Sequence, residues 1–203
     1  MKTPVKLTKN DLKFIKHVKA HCKELGVKCD IRNTSYVRYG KSVACSGWFD
    51  SDAKELVVAI NSSTGFQVLV HEYGHLTQWQ DGIKLWDKGG LAMGFVDIWL
   101  AGFTVKNIKR HIAIARDLEL DNEKRSVKLI KKWNLSIDTQ DYIKRANAYV
   151  QFYNWLPYTR KWSSPKNSPY KNQNVLNAMS SRFNMNYKKM SKKVFKTFSQ
   201  ENI

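Results

Sequence analysis

Val68-Leu69-Val70-His71-Glu72-Tyr73-Gly74-His75-Leu76 sets two histidines four residues apart, with a glutamate directly after the first. On a helix, positions i and i+4 share a face, so His71 and His75 can turn both imidazoles toward one metal ion. Glu72 is not needed as a ligand. Beside the pair it can take a proton from a water, the general-base task in metal-assisted hydrolysis. A chain of this histidine and glutamate content produces HExxH in roughly one shuffled sequence in three hundred, so the flanking residues carry weight. Phe66, Val68, Leu69, Val70 and Leu76 supply an apolar helix face, Ser63 or Thr64 can cap its start, and Asp81-Gly82 is a stop signal. The spacing predicts a helix over residues 64–80.

Upstream, residues 10–25 place Leu12, Ile15, Val18 and Cys22 at helical spacing, and Gly26 supplies the stop. The period then changes. Residues 27–31, 36–49 and 55–60 are rich in Val, Ile, Tyr and Phe, with turn residues at Tyr39-Gly40-Lys41 and Asp50-Ser51-Asp52, as expected of strands. Helix, small three-stranded sheet and HExxH helix follow in order. A strand beside the metal helix offers an edge on which an extended peptide can hydrogen-bond, and residues 43–49 are the candidate edge. Downstream, Gly89 and Gly90 mark a loop within residues 82–94. Helices are expected over 93–101, 107–133 and 139–155, the last capped by Asp138 or Thr139. Pro157, Pro165 and Pro169 punctuate a polar linker over 161–172, and two short basic helices follow near 174–183 and 191–198. The expected fold class is α+β: a domain over residues 1–160 and a basic, helical C-terminal extension over 161–203.

A catalytic zinc takes three protein ligands and keeps a position open, so His71 and His75 need a partner. The extended pattern HExxHxxGxxH would put its last ligand at Asp81, but Gln78 stands where the glycine belongs. His111 is the second candidate. The third is the run Asp117-Leu118-Glu119-Leu120-Asp121-Asn122-Glu123, four acids in seven residues of a chain that holds only six glutamates. Such a run calls for a cationic partner, a metal ion or the chain's own Lys and Arg.

Asn122-Glu123-Lys124-Arg125-Ser126 resembles the NExxS ligand motif of the gluzincins, zinc peptidases whose third ligand is a glutamate on a second helix. The resemblance implies Glu123 as third ligand, with Glu119, one turn earlier on the same face, as its rival; Asp121 points elsewhere by helical geometry. Residues 36–126 as a whole look like the minimal metallopeptidase domains of the ImmA/IrrE and SprT-like groups and of phage-encoded metallopeptidases. That likeness implies a zincin-like domain of N-terminal helix, sheet, HExxH helix and ligand helix that binds Zn²⁺ and cleaves peptide bonds. The chain departs from SprT-like enzymes in having only His111 as a downstream histidine. It departs from the ImmA/IrrE group in carrying Lys124-Arg125-Ser126 where an alanine-rich helix is usual.

Negative charge developing on a tetrahedral intermediate calls for a donor opposite the metal, and Tyr149, Tyr153, Tyr158, His111 and Arg116 are candidates. His17 and His21 form a second i, i+4 pair near Cys22 and Cys29. Their spacing fits no common zinc module, and Lys16, Lys19 and Lys23 oppose a cation there. Trp133, Trp155 and Trp162 amid basic residues fit either stacking platforms for single-stranded nucleic acid or ordinary core positions.

The net charge of +18 over 203 residues is concentrated at the two ends: residues 160–203 hold ten Lys or Arg against one acid, Glu201. Such a field favours a polyanion, whether nucleic acid, an anionic membrane surface or an acidic protein. No stretch is long enough to span a membrane, the basic N-terminus lacks the apolar core of a secretory signal, and three cysteines without a CxxC pair fit a reducing, cytoplasmic setting. The expectation is a zinc-dependent metalloendopeptidase acting on a protein or peptide substrate, with a basic nucleic-acid- or protein-binding module carrying a structural metal site as the alternative. Oligomeric state is left open by the residues.

Overall fold

The computed structural model describes residues 7–40, 43–164 and 166–203, so Lys41 of the expected hairpin turn and Pro165 of the expected linker lie outside the described residues. The order is α1 (Lys9–Glu24), β1 (Lys28–Arg32), β2 (Val37–Tyr39), β3 (Val43–Cys45), β4 (Gly47–Asp50), β5 (Glu55–Ala59), α2 (Gly65–Gln80), α3 (Lys84–Leu100), α4 (Ile108–Trp133), α5 (Thr139–Thr159), α6 (Gln173–Ala178) and α7 (Lys192–Gln200). The fold is α+β. The chain divides into two compact units, one of residues 1–82 and 124–137, the other of residues 83–123 and 138–203; the boundary falls inside α4.

In the first unit, β5 is central, with β1 parallel on one side and β4 antiparallel on the other, while β2 and β3 pair as a separate hairpin. The stretch over 36–49 breaks near the expected hairpin turn into β2 and β3, and the expected edge over 43–49 divides further into β3 and β4. Leu56, Val57, Val58 and Ala59 of β5 are all buried, as a central strand covered on both faces requires. Asp50 makes the expected turn, its Oδ1 accepting from the N–H groups of Asp52 (2.9 Å) and Ala53 (2.8 Å). β4 is an outer strand and packs beside α2, where the Gly47 Cα faces Val68; a Cβ at Gly47 would stand 2.9 Å from Val68 Cγ1. Gly65 is constrained more tightly, since a Cβ there would lie 2.5 Å from the carbonyl oxygens of Ala59 and Ile60. A glycine therefore lets α2 start directly against the end of β5. Thr64 occupies the N-cap position without a side-chain capping bond.

Helix α1 buries Asp11, Phe14, Val18 and Cys22. The expected stripe ran through Leu12, which is 50% exposed; the helix is rolled so that Phe14 points inward and Asp11 becomes a buried hub. Asp11 Oδ2 accepts from the Thr8 N–H (2.7 Å) and the Thr8 hydroxyl (2.7 Å), completing a capping box, and its carboxylate also takes the Ser136 N–H and hydroxyl. Burial pushes this carboxyl up, but the bonds from Ser136 and Thr8 together outweigh burial and hold its pKa below the usual 3.8. A depressed folded-state pKa stabilises the fold above the unfolded value, and the contribution is lost as pH falls through the folded one. Asp11→Ala is expected to cost about 2 kcal/mol near neutral pH. The gap between wild type and variant should close as pH drops below 3.8, read from urea unfolding midpoints. A gap that persisted in acid would mean that the loss is packing rather than charge.

In the second unit, the loop expected at 82–94 is instead the first part of α3. Gly89 is buried, and a Cβ on it would lie 2.3 Å from Leu118 Cδ2. The glycine serves a close approach of α3 to α4, and the apolar packing offsets the roughly 1 kcal/mol that glycine costs a helix. α5 starts at its expected cap, Asp138 accepting from the Asp141 N–H (2.8 Å), but it runs past Pro157 to Thr159. The C-terminal segment is packed rather than loose: Val175, Leu176, Met179, Phe198 and Ile203 share a core with Ala148, Phe152, Tyr153, Trp155 and Leu156 of α5. Trp155 Nε1 donates to the carbonyl of the last residue, Ile203 (2.7 Å). Among the described residues, no helix is long and apolar enough to cross a membrane.

Candidate metal centre

Helix α2 buries Phe66, Leu69, Val70, Tyr73 and Leu76 and leaves His71 and Glu72 half-buried. The His71 and His75 rings meet edge-on, centroids 4.7 Å apart and planes at 86°. His75 Nδ1 donates to Gln78 Oε1 at 2.8 Å, and Gln78 is fully buried. That bond fixes the orientation of the His75 ring and its tautomer, with the proton on Nδ1. Gln78, which breaks the longer histidine motif in the sequence, thus holds one histidine of the metal-capable group in place.

The opposite side of α2 is pinned by the second histidine pair. His17 Nε2 (2.9 Å) and His21 Nδ1 (2.8 Å) both hydrogen-bond the Tyr73 hydroxyl, which can donate to one ring while accepting from the other. Burial holds the Tyr73 phenol well above its ordinary range. Burial, with the neighbouring His21 and Lys132, pushes His17 down toward its neutral form. Cys22 and Cys29 hydrogen-bond each other. These four residues are therefore engaged within the fold, and they are absent from the metal-capable group found among the described residues.

On α4 the acidic run divides by direction. Glu119 and Glu123 are buried, 9% and 5% exposed, while Asp117 pairs with Arg116 at 2.8 Å. His71, His75 and Glu119 form a group whose ligand atoms all lie within 4.8 Å of one another, close enough to hold one metal ion. The carboxylate brought into the group is Glu119, the rival in the sequence reading, and not Glu123. Asp81 lies at the end of α2 and is bound by Arg125.

Neither models of protein families, nor curated proteins, nor solved structures yield a match to this chain. The group offers two imidazoles and one carboxylate, a donor set that suits zinc and related divalent ions.

The remaining candidates have defined places. Tyr153 is fully buried and hydrogen-bonded to Glu119, and the Tyr149 hydroxyl lies 3.3 Å from that of Tyr153. Burial, and next the charge of Glu119, hold the Tyr153 phenol well above its usual range, so it stays a donor. The tyrosines form a chain, Tyr149 to Tyr153 to Glu119, that orients the carboxylate. His111 stacks on Phe95 with centroids 4.4 Å apart. Arg116 donates to Asp117 and to Asn154 Oδ1 (2.8 Å), with its guanidinium over Tyr187. Tyr158 is 67% exposed. Near the catalytic candidate, the Cys45 thiol is pushed up by burial and then by the charge of Glu72. Sequence reasoning missed the contacts of Gln78 and Tyr73; only Gln78, at i+3 from His75, carried a positional signal.

Proposed function

We propose that the chain is a zinc-dependent metalloendopeptidase in which His71, His75 and Glu119 hold the ion and Glu72 is the general base. The observation that carries this reading is the convergence of the two histidines and a buried glutamate, with a second, half-buried glutamate directly beside the first histidine. The donor set fits the ion: Gln78 fixes the His75 ring through its Nδ1, and Glu119 is oriented by Tyr153. When bound, zinc supplies Lewis acidity toward a carbonyl oxygen.

Everything else falls to the chain. Glu72 takes the proton of the attacking water on a carboxylate oxygen and returns it to the leaving amine nitrogen, so the peptide C–N bond breaks as the new C–O bond forms. β4, the outer strand alongside α2, offers backbone groups to an extended substrate, which would hold the scissile bond over the histidines. A glutamate in Glu72's position has no task in a purely structural site, which favours the enzyme over a basic binding module with a structural ion.

The test uses the full-length chain: zinc content by elemental analysis, and cleavage of an unfolded protein substrate before chelation, after it, and after zinc is restored. Stoichiometric zinc with cleavage that disappears and returns is the expected result. A chain that takes up no added zinc, or cleaves equally well in chelator, would overturn the proposal.

A further inference from the structure

Two aromatic rings in the second unit are held rigidly and left in solvent. Tyr158, in the last turn of α5, is 67% exposed, and Phe195, on α7, is 38% exposed. Their centroids lie 5.1 Å apart with planes at 83°, and both rest on Trp155, at 5.6 Å and 5.0 Å. Trp155 itself is 7% exposed and tied to the carbonyl of Ile203, so the platform beneath the rings is part of the core. α7 is fixed in turn: Ser191 caps it by accepting from the Val194 N–H (3.2 Å), Phe198 is fully buried, and Val194 packs on the same core.

The rings sit among lysines. On α7, Lys192 is one turn before Phe195 on the same face and Lys196 follows it, both exposed; Lys161 is three residues beyond Tyr158 and also exposed. The one acid of residues 160–203, Glu201, is taken up by Asn172 Nδ2 (2.9 Å) and Asn174 Nδ2 (2.7 Å) on its two carboxylate oxygens. Arg160 has an internal task, donating to the carbonyls of Trp99 and Phe103.

We infer that the Tyr158–Phe195 surface, with Lys161, Lys192 and Lys196, binds single-stranded nucleic acid. Phosphates answer the lysines, and unpaired bases answer the rings, since every base offers a π-face that stacks on an aromatic side chain irrespective of sequence. A duplex hides those faces within its own stack, which leaves the rings without a partner. An acidic protein would satisfy the lysines alone. A membrane surface is disfavoured by α7 itself, because an interfacial helix must present its apolar face to lipid, whereas Phe198 and Val194 are turned into the core. The inference does not depend on the metal centre and concerns binding rather than hydrolysis.

Fluorescence anisotropy of the full-length chain with a labelled oligothymidine, and with a duplex of matched length, tests it. The single strand should bind more tightly than the duplex. Tyr158→Leu and Phe195→Leu, which keep apolar contact but remove the ring, should each weaken single-strand binding by about fivefold or more while leaving its salt dependence unchanged. Tyr158→Phe, which keeps the ring and the exposure, should bind as wild type. Replacing Lys192 and Lys196 by Ala should flatten the slope of log affinity against log salt by about 1.4. Equal affinity for single strand and duplex would overturn the inference, as would ring variants that bind like wild type with unchanged melting temperatures. So would binding to phosphatidylserine vesicles that is lost in Phe195→Leu while oligothymidine binding is untouched, which would assign the surface to a membrane.

Discussion

Glu72→Gln is expected to lower cleavage of an unfolded protein substrate by about 10²- to 10⁴-fold, the usual worth of a positioned acid–base group, while zinc remains stoichiometric. Glutamine preserves the length and much of the hydrogen bonding of the side chain, and it cannot accept a proton at neutral pH. Glu72 is not in the group whose ligand atoms could hold an ion, so under the proposed roles metal content should not follow activity. Single-turnover assays on zinc-loaded protein, with zinc measured in the same samples, separate the two quantities. If Glu72→Gln retained turnover, the base would lie elsewhere; if it lost zinc, the residue would be a ligand and the proposed division of labour would fail.

The second large effect concerns the two buried glutamates of α4. Glu119→Ala is expected to weaken zinc binding by more than about 100-fold, beyond the range seen when only an outer partner of a ligand is removed, while Glu123→Ala should bind zinc as wild type does. A stability readout gives an independent check, because an ion that binds only the folded chain stabilises it by an amount that grows with the logarithm of ion concentration over Kd. Added zinc should therefore raise the melting temperature of wild type and of Glu123→Ala, and leave that of Glu119→Ala unchanged. The reverse pattern would restore Glu123 as the ligand.

The contrast between these glutamates shows where sequence stops being sufficient. The HExxH helix was legible because its constraint is local: i, i+4 spacing fixes a shared face whatever surrounds it. Glu119 and Glu123 satisfy the same local rule, one turn apart, and only a three-dimensional distance to the histidines separates them. The strands around β5 were legible from composition, but the break of residues 36–49 into β2, β3 and β4 depends on which backbone groups pair. α3 was obscured because Gly89 reads as a turn residue, although its use is close packing on Leu118. The C-terminal helices were legible in outline, but the packing of Val175, Leu176, Met179, Phe198 and Ile203 on α5 joins residues distant in sequence, which no local pattern reports. Pro157 read as punctuation because a proline inside the last turn of a helix cannot be told from one just beyond it.

The grip of His17 and His21 on the Tyr73 hydroxyl has a consequence for angular precision. Successive residues of a helix step by about 100°, so Tyr73 projects diametrically opposite the midpoint of His71 and His75. The hydroxyl is thus a stop against rotation of α2 about its own axis. With side chains reaching about 6 Å from that axis, a roll of only about 10° would carry a ligand nitrogen about 1 Å sideways. A misplacement of that size can cost about a hundredfold in rate even when it originates far from the chemistry. One histidine pair, by holding Tyr73, can in this way set the aim of the other.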